Sequence, residues 1–194
     1  MKKIIIILIA FILGGCATTY VNRNPVGEYF PTVEGQTLTE EKRELPAYFK
    51  GSYVVLLLGY EQDSQFDIDR WLIGLDMTET KIKAYEIPTI QGLLPRMFKS
   101  TIDDGMRKGI PKELWGGVIT IYGDGATIQE FTGNENPNNA RVLLLDQMGK
   151  VIYFHDKGFS VQALNELLTH GVTGIIRDFV TAIGIMAFML YMNV

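Results

Sequence analysis

Two patterns of apolar and polar residues in the middle of the chain predict an α/β domain over residues 51–171. The first is a continuous apolar run over residues 53–58, typical of a strand buried on both faces of a sheet. The second is a stripe of apolar residues at i, i+3, i+4 and i+7, which predicts an amphipathic helix. Its members are Ile68, Trp71, Leu72 and Leu75. Ser64 and Asp67 have the spacing of a capping pair at the start of this helix.

The same patterns recur further along the chain. Residues 81–87 alternate apolar and polar positions, which predicts a second strand beside the first. The spacing of Phe98, Ile102 and Met106 predicts a second helix, and residues 118–122 have the composition of a third strand.

A hairpin and a final helix close the predicted domain. After a loop-like stretch over residues 123–140, two apolar strands over residues 141–145 and 150–154 flank a turn in which Gly149 can supply a positive φ. Ser160 is the predicted cap of a helix whose end is expected at Gly171. The apolar stripe of that helix consists of Val161, Leu164, Leu167 and Leu168.

The two ends of the chain differ from this domain. Residues 1–15 begin with two lysines, continue with an apolar stretch of about ten residues and end in Gly14-Gly15, the layout of a secretory signal peptide. Residues 16–50 are rich in Thr, Asn, Glu, Pro and Gly, which predicts a linker or loosely packed arm, from which Val26, Tyr29, Phe30 and Val33 could still dock on the domain. Residues 172–194 are predicted to form an apolar C-terminal helix.

Cys16 is the predicted anchoring residue. Leu13-Gly14-Gly15-Cys16 resembles the lipobox of bacterial lipoproteins, which implies cleavage before Cys16 and acylation of its sulfur. The acyl chains would then bind membrane lipid. This resemblance implies a location in the bacterial cell envelope, facing the periplasm, and Ala17 after the cysteine favours the outer membrane over the inner membrane.

The apolar tail leaves three interpretations open. The sequence carries no charge over residues 179–194, which as a helix would measure about 24 Å. The helix could pack on its own domain, enter or lie on a membrane, or dock on a partner protein. The candidate contact residues for a partner or a membrane are Phe179, Ile183, Met186, Phe188, Leu190 and Tyr191.

Composition and charge exclude several classes of function. Removal of residues 1–15 takes away two lysines and lowers the net charge from −4 to −6, without a basic stripe, which disfavours nucleic-acid binding. Cys16 is the only cysteine, and acylation would leave no thiol for redox catalysis. With two histidines and no carboxylate pair in ligand spacing, no metal site and no cofactor is predicted. Asp67, Asp69, Asp103 and Asp104 are expected at the surface.

The order of elements, and above all the hairpin over residues 143–154, resembles the thioredoxin superfamily. The resemblance implies a mixed sheet flanked by helices. Shorter pieces are similar to the thioredoxin-like mitochondrial ATP synthase assembly factors and their bacterial relatives, which implies a non-redox protein that assists assembly of another protein. These pieces are residues 85–88, the helix over residues 97–107 with Asp103, residues 109–111 and residues 154–158.

Two departures from the redox members of that fold bear on function. Where they place Cys-x-x-Cys after the first strand, this chain has Tyr60-Glu61-Gln62-Asp63-Ser64-Gln65-Phe66, and where they hold a cis-proline it has Ala140-Arg141. We therefore expect a non-catalytic, membrane-anchored lipoprotein that binds an envelope protein. The alternative is a cysteine-independent envelope enzyme that uses His155 and Asp156 as a general acid–base pair.

Overall fold

A computed structural model describes residues 18–192, apart from the side chains of residues 93 and 94. Seven strands and five helices follow one another in this part of the chain. In order they are β1 (Val33–Thr37), β2 (Lys42–Leu45), β3 (Val54–Gly59), α1 (Gln65–Met77), β4 (Lys83–Pro88), α2 (Leu93–Met97), α3 (Lys99–Gly109), β5 (Ile119–Thr120), α4 (Gly125–Thr132), β6 (Arg141–Leu145), β7 (Val151–His155) and α5 (Val161–Met192).

The central sheet has the strand order β4-β3-β6-β7. β3 pairs in parallel with β4, so that Leu57 lies opposite Glu86, and antiparallel with β6, where Leu56 lies opposite Leu143. β6 and β7 form the predicted antiparallel hairpin, and Gly149 has a φ of 83° in its turn. The mixed, helix-flanked sheet predicted from the sequence is therefore confirmed.

A second, three-stranded sheet has the order β2-β1-β5 and is antiparallel. It joins the central sheet beside β4, because Ile121 donates its N–H to the Pro88 carbonyl at 2.8 Å and Ile90 donates to the Ile121 carbonyl at 2.9 Å. Of the predicted third strand over residues 118–122, only Ile119–Thr120 forms a regular strand, and its neighbours make single parallel bridges to β4.

The prediction of a linker over residues 16–50 is wrong for residues 30–49. β1 and β2 lie within that range, and the side chains of Phe30, Val33, Leu45 and Phe49 are buried in the core. The polar composition hid these strands, because their outward positions are charged while a few isolated apolar side chains provide the packing.

Two apolar clusters lie on the two faces of the central sheet. One face packs β3 residues Leu56 and Leu58 against β1, β2 and α4. The other face packs Val55 and Leu57 against α1 and the first part of α5, with the Trp71 side chain fully buried. This arrangement explains the continuous apolar runs of the central strands, since the side chains on both faces of the sheet are covered.

The second predicted helix has a different buried face from the one expected. Phe98 is exposed between α2 and α3, whereas the Asp103 side chain is buried. Asp103 accepts a hydrogen bond from the Tyr122 hydroxyl at 2.8 Å, and Arg107 of the same helix donates to the Leu38 carbonyl at 2.9 Å. α3 therefore packs on the domain largely through polar contacts.

The last helix continues through the residue at which it was predicted to end. Gly171 and Gly174 lie inside α5, which runs without a break to Met192. Both glycines are buried, because their positions face the Ile82 side chain and the Tyr53 ring at short range. Close helix packing, rather than a helix end, accounts for these two glycines.

The central sheet has two ends, which carry different residues. We call the end with Gly59, Pro88, Arg141 and His155 the upper end, and the end with Val54, Leu145 and Val151 the lower end. α5 begins at the upper end, where Phe159 contacts Asp67, and passes Tyr53 at the lower end.

Candidate functional site

The upper end contains the segment that follows β3 and begins with Tyr60. Tyr60 follows β3, and its hydroxyl group lies 2.5 Å from Thr132 Oγ1 and 3.3 Å from the Ile128 carbonyl. Burial raises the pKa of the Tyr60 phenol, so the group is neutral at physiological pH. Tyr60 is thus a neutral side chain that joins β3 to α4.

Arg141 is a fully buried cation beside Tyr60. Its guanidinium group lies 5.1 Å from the centre of the Tyr60 ring and donates to the carbonyls of Asn136 and Asn139, the latter at 2.9 Å. Within residues 18–192 no carboxylate lies within 4 Å of this group, and no acceptor faces its Nε. Burial therefore lowers the pKa of Arg141.

The Arg141 contacts order the loop that precedes β6. A planar guanidinium group with several donors can bind more than one carbonyl at once, which a lysine cannot do with the same geometry. The sequence carried one signal for this role, a charged residue that opens an otherwise apolar strand, but it did not indicate burial.

Asp67 joins three segments at the upper end. Its side chain is buried in the first turn of α1, where Oδ2 accepts the Ala140 N–H at 2.9 Å and Oδ1 accepts the Phe159 N–H at 2.7 Å. The predicted capping pair is therefore wrong, since Ser64 instead donates to the Glu61 carbonyl. The predicted surface position of Asp67 is also wrong, because its side chain is buried.

The sequence also predicted surface positions for three other aspartates, and the structure confirms two of them. Asp69 and Asp104 are exposed, as expected, and contact Gln65 and Arg107 respectively. Asp103 is buried against Tyr122, contrary to the prediction. Among the described residues no group of three acidic, histidine or cysteine side chains could hold a metal ion.

Glu86 is a buried carboxyl group on β4, near the start of α1. Burial raises the pKa of Glu86, and the negative charge of Asp69 raises it further, while a hydrogen bond with Gln65 acts in the opposite direction. The folded chain therefore favours the neutral acid more than the unfolded chain does.

His155 lies at the end of β7, half-buried against the edge of Trp71 at 5.7 Å between ring centres. Its Nε2 contacts the Gly158 carbonyl at 2.7 Å, so one ring nitrogen is held by the turn that leads to α5. The backbone carbonyl of the adjacent Asp156 accepts a hydrogen bond from Asn139. These contacts link His155 and Asp156 to the loops of the upper end.

The six candidate contact residues of the tail are all exposed. Their exposed fractions range from 50% to 81%, and they belong to Phe179, Ile183, Met186, Phe188, Leu190 and Tyr191. Of the three interpretations, packing of this segment on its own domain is therefore wrong. Within the described residues one helix, α5, is long and apolar enough to cross a membrane.

Just before the exposed segment, α5 makes a polar contact with the domain at the lower end. The Tyr53 hydroxyl donates to Asp178 Oδ2 at 2.5 Å, immediately before the uncharged stretch begins. Burial and this carboxylate together raise the pKa of Tyr53 to about 12. Cys16 and the predicted signal peptide lie outside the described residues.

Comparison with solved structures shows a thioredoxin-like fold. BsSco, a member of the Sco family of cytochrome c oxidase assembly proteins, aligns with 77% of this chain and 95% of its own, at a TM-score of 0.54 and 10% identity. The exposed lipoprotein thioredoxin of Streptococcus pneumoniae aligns with 71% of this chain and 100% of its own, at 0.48 and 12%. A thioredoxin domain of a Bacteroides vulgatus thiol-disulfide oxidoreductase aligns with 76% and 97%, at 0.48 and 17%. No family model and no curated protein matches the sequence.

Replacement of Asp67 by asparagine tests the contact that joins α1 to two loops. The amide retains one acceptor oxygen, so one of the two buried N–H groups loses its partner. We expect the free energy of unfolding to fall by about 2 kcal/mol. Asp76→Asn, at an exposed position of the same helix, should change it by less than about 0.5 kcal/mol. Urea unfolding followed by circular dichroism measures both, and equal stabilities of the two variants would contradict the prediction.

Replacement of Glu86 by glutamine tests the buried acid. Because the pKa is raised in the folded state, ionised Glu86 lowers stability above the pKa of the unfolded chain, and this loss disappears as the pH falls to that value. We expect Glu86→Gln to raise the melting temperature at pH 7.5 and to leave it nearly unchanged at pH 4.5. The exposed Glu61→Gln variant is the control and should change the melting temperature at neither pH. A gain at pH 4.5 as large as that at pH 7.5 would show that charge is not the cause.

Proposed function

We propose that this protein is a membrane-anchored, non-catalytic thioredoxin-like lipoprotein of the bacterial cell envelope that binds another envelope protein or assists its assembly. The observation that carries the proposal is the exposed apolar end of α5, which extends beyond a domain whose reactive-site position holds no thiol.

The shape of the exposed segment supports a membrane or protein environment. Its apolar side chains point in all directions, whereas a helix that covers one face of a domain keeps a polar stripe towards water. An exposed apolar surface of this extent is unfavourable in water and is typical of a helix that enters lipid or binds a partner. With the acyl chains proposed on Cys16, the chain would have two attachments to membranes.

The chemistry of the upper end supports a binding role in place of catalysis. Thiol–disulfide exchange needs a thiolate, and the only sulfur that could supply one is the Cys16 sulfur that we propose to be acylated. His155 Nε2 is engaged by a backbone carbonyl, Tyr60 is held by α4, and Arg141 is held by the loop before β6. The upper end presents to a partner its surface shape and the exposed aromatic side chain of Phe66, in the first turn of α1.

The role in assembly rests on resemblance. Residues 85–88, 97–107, 109–111 and 154–158 resemble non-redox assembly factors of the ATP synthase, and BsSco belongs to a family of assembly proteins on the same fold. We carry over the class of role, assistance to a second envelope protein, and neither the ATP synthase nor cytochrome c oxidase as the partner.

Removal of each proposed anchor tests the attachment to membranes. We expect Cys16→Ser and a chain that ends at residue 178 each to remain in the membrane fraction, and the chain with both changes to become soluble. In the Cys16→Ser background, Met186→Arg should release protein, because an arginine in the middle of a spanning helix costs about 3 kcal/mol. Met186→Leu is the matched control and should not.

Fractionation with an alkaline wash and immunoblotting measures the distribution of each variant, and mass spectrometry reads the mature N-terminus. A Cys16→Ser chain that is fully soluble with its tail intact would contradict the tail as an anchor. A mature first residue other than an acylated Cys16 would contradict the lipoprotein.

Photo-crosslinking in cells tests the proposed partner. A benzoylphenylalanine replacing Phe66 at the upper end or Phe188 in the tail should give a discrete crosslinked product with one envelope protein. The same group at Tyr29, which is exposed beside the hairpin turn at the lower end, serves as the control and should give none. Absence of a protein product from both Phe66 and Phe188 would remove the support for a binding role.

A further inference from the structure

The first described residues form an extended arm that lies along the upper end. We call residues 18–24 the arm. Asn134 holds it through three hydrogen bonds: its side-chain oxygen accepts the Tyr20 N–H at 2.7 Å, its backbone N–H donates to the Tyr20 carbonyl at 3.0 Å, and its side-chain amide donates to the Thr18 carbonyl at 2.9 Å. Asn22 adds a bond from the Glu135 N–H at 3.0 Å and one from Arg141 at 3.3 Å.

The arm is held by hydrogen bonds with little apolar burial. Val21 is 76% exposed, and within the arm no residue is buried. The chain passes so close to Gly133 that a Cβ there would lie 2.3 Å from the Asn22 Cα. Hydrogen bonds that exchange with water contribute about 1 kcal/mol each, so water can replace most of the contacts that hold the arm. Arg23 of the arm also lies 6.0 Å from the centre of the Phe131 ring.

The chain then descends to the lower end. Gly27 donates its N–H to the Val151 carbonyl at 2.8 Å, and Phe30 donates to the Gly149 carbonyl in the hairpin turn at 2.9 Å. Pro25 and Phe30 are buried on either side of this paired stretch, so the fixed part of the N-terminal segment lies beside the lower half of β7.

The docked arm therefore places Thr18 at the end of the domain opposite to the point where the tail leaves it. The extended chain makes seven residue-to-residue steps from Tyr53, which binds Asp178, to Tyr60, which contacts Thr132 at the arm, and these steps span about 23 Å. Cys16 precedes Thr18 by two residues, which reach about 7 Å at most. With α5 crossing a bilayer, a lipid on Cys16 cannot reach that bilayer while the arm is docked.

We propose that residues 18–24 are a releasable strap, and that the arm leaves residues 132–136 when the acyl chains of Cys16 and the tail of α5 occupy one membrane. This inference rests on the proposed function. Once the arm is released, the nine residue-to-residue steps from Cys16 to Pro25 extend over about 30 Å, which is enough to reach the bilayer from beside β7. Release also uncovers Gly133 and removes the Asn22 contact of Arg141, so it opens the upper end to a partner.

The alternative of a domain lying flat on the membrane fits the helix less well. A helix in the plane of the interface keeps a polar face towards water, and residues 179–192 have apolar side chains all round. The outward face of α5 is polar over its first turns, with exposed Gln162, Asn165 and Glu166, and exposed apolar side chains resume at Val172.

Distance measurement between spin labels tests the strap. Val21→Cys and Met148→Cys place two labels on exposed side chains at opposite ends, and an acylated Cys16 takes up no label. For the chain that ends at residue 178, bound to phosphatidylethanolamine and phosphatidylglycerol vesicles through its lipid, we expect one narrow distance above about 20 Å. For the full chain in the same vesicles we expect a broad distribution.

Asn134→Ala is the positive control for release of the arm. Loss of its side-chain bonds to the arm should broaden the distance distribution of the shortened chain as well. The exposed Asn165→Ala should leave them narrow. Vesicle flotation of the full chain and of each single-anchor variant identifies the anchors in use. If both anchors hold and the full chain keeps the narrow distance, the strap is overturned while the proposed function stands. If either anchor fails to hold the chain on the vesicles, the strap and the proposed function are both overturned.

Discussion

The carboxylate of Asp67 receives the backbone N–H groups of Ala140 and Phe159, and the upper end of the domain depends on this pair of bonds. It connects the first turn of α1 to the loop before β6 and to the segment before α5. The loop before β6 and the segment before α5 are irregular, so their backbone groups need partners outside regular structure. A buried carboxylate satisfies two of them at once, with charge-assisted bonds stronger than those between neutral groups.

Arg141 and Tyr60 likewise use buried polar groups to join segments of the upper end. A guanidinium group with no carboxylate in contact is costly to bury, and it persists here because carbonyls and an aromatic ring surround it. Arg141 thereby holds the loop before β6 in place, and Tyr60 joins β3 to α4. The thioredoxin-like fold supplies the frame, and the chemistry of this end is set by a few residues on it.

The sequence predicted the elements that repeat a simple pattern and missed those that depend on contacts between distant segments. The apolar run before Gly59 and the hairpin around Gly149 were visible because burial on both faces and a positive φ leave local signals. Gly171 was interpreted as a helix end, since a glycine that admits a neighbouring side chain is identical in sequence to one that ends a helix. Asp67 and Arg141 carry no local signal of burial, because their partners lie 73 residues away in one case and in a preceding loop in the other.

The continuity of α5 ties the orientation of the domain to the environment of its tail. The helix is packed on the sheet up to Gly174, and Asp178 is held by Tyr53, so the exposed part leaves the domain along the direction of the packed part. A helix that continues without a break cannot change direction at little cost, because a kink needs a proline, a bulge or an inserted group. The environment of residues 179–192 therefore sets the orientation of the sheet. In a bilayer, the lower end with Tyr53 would face the lipid. The upper end with Phe66 and Arg141 would then point away from it, towards the space in which a partner could approach.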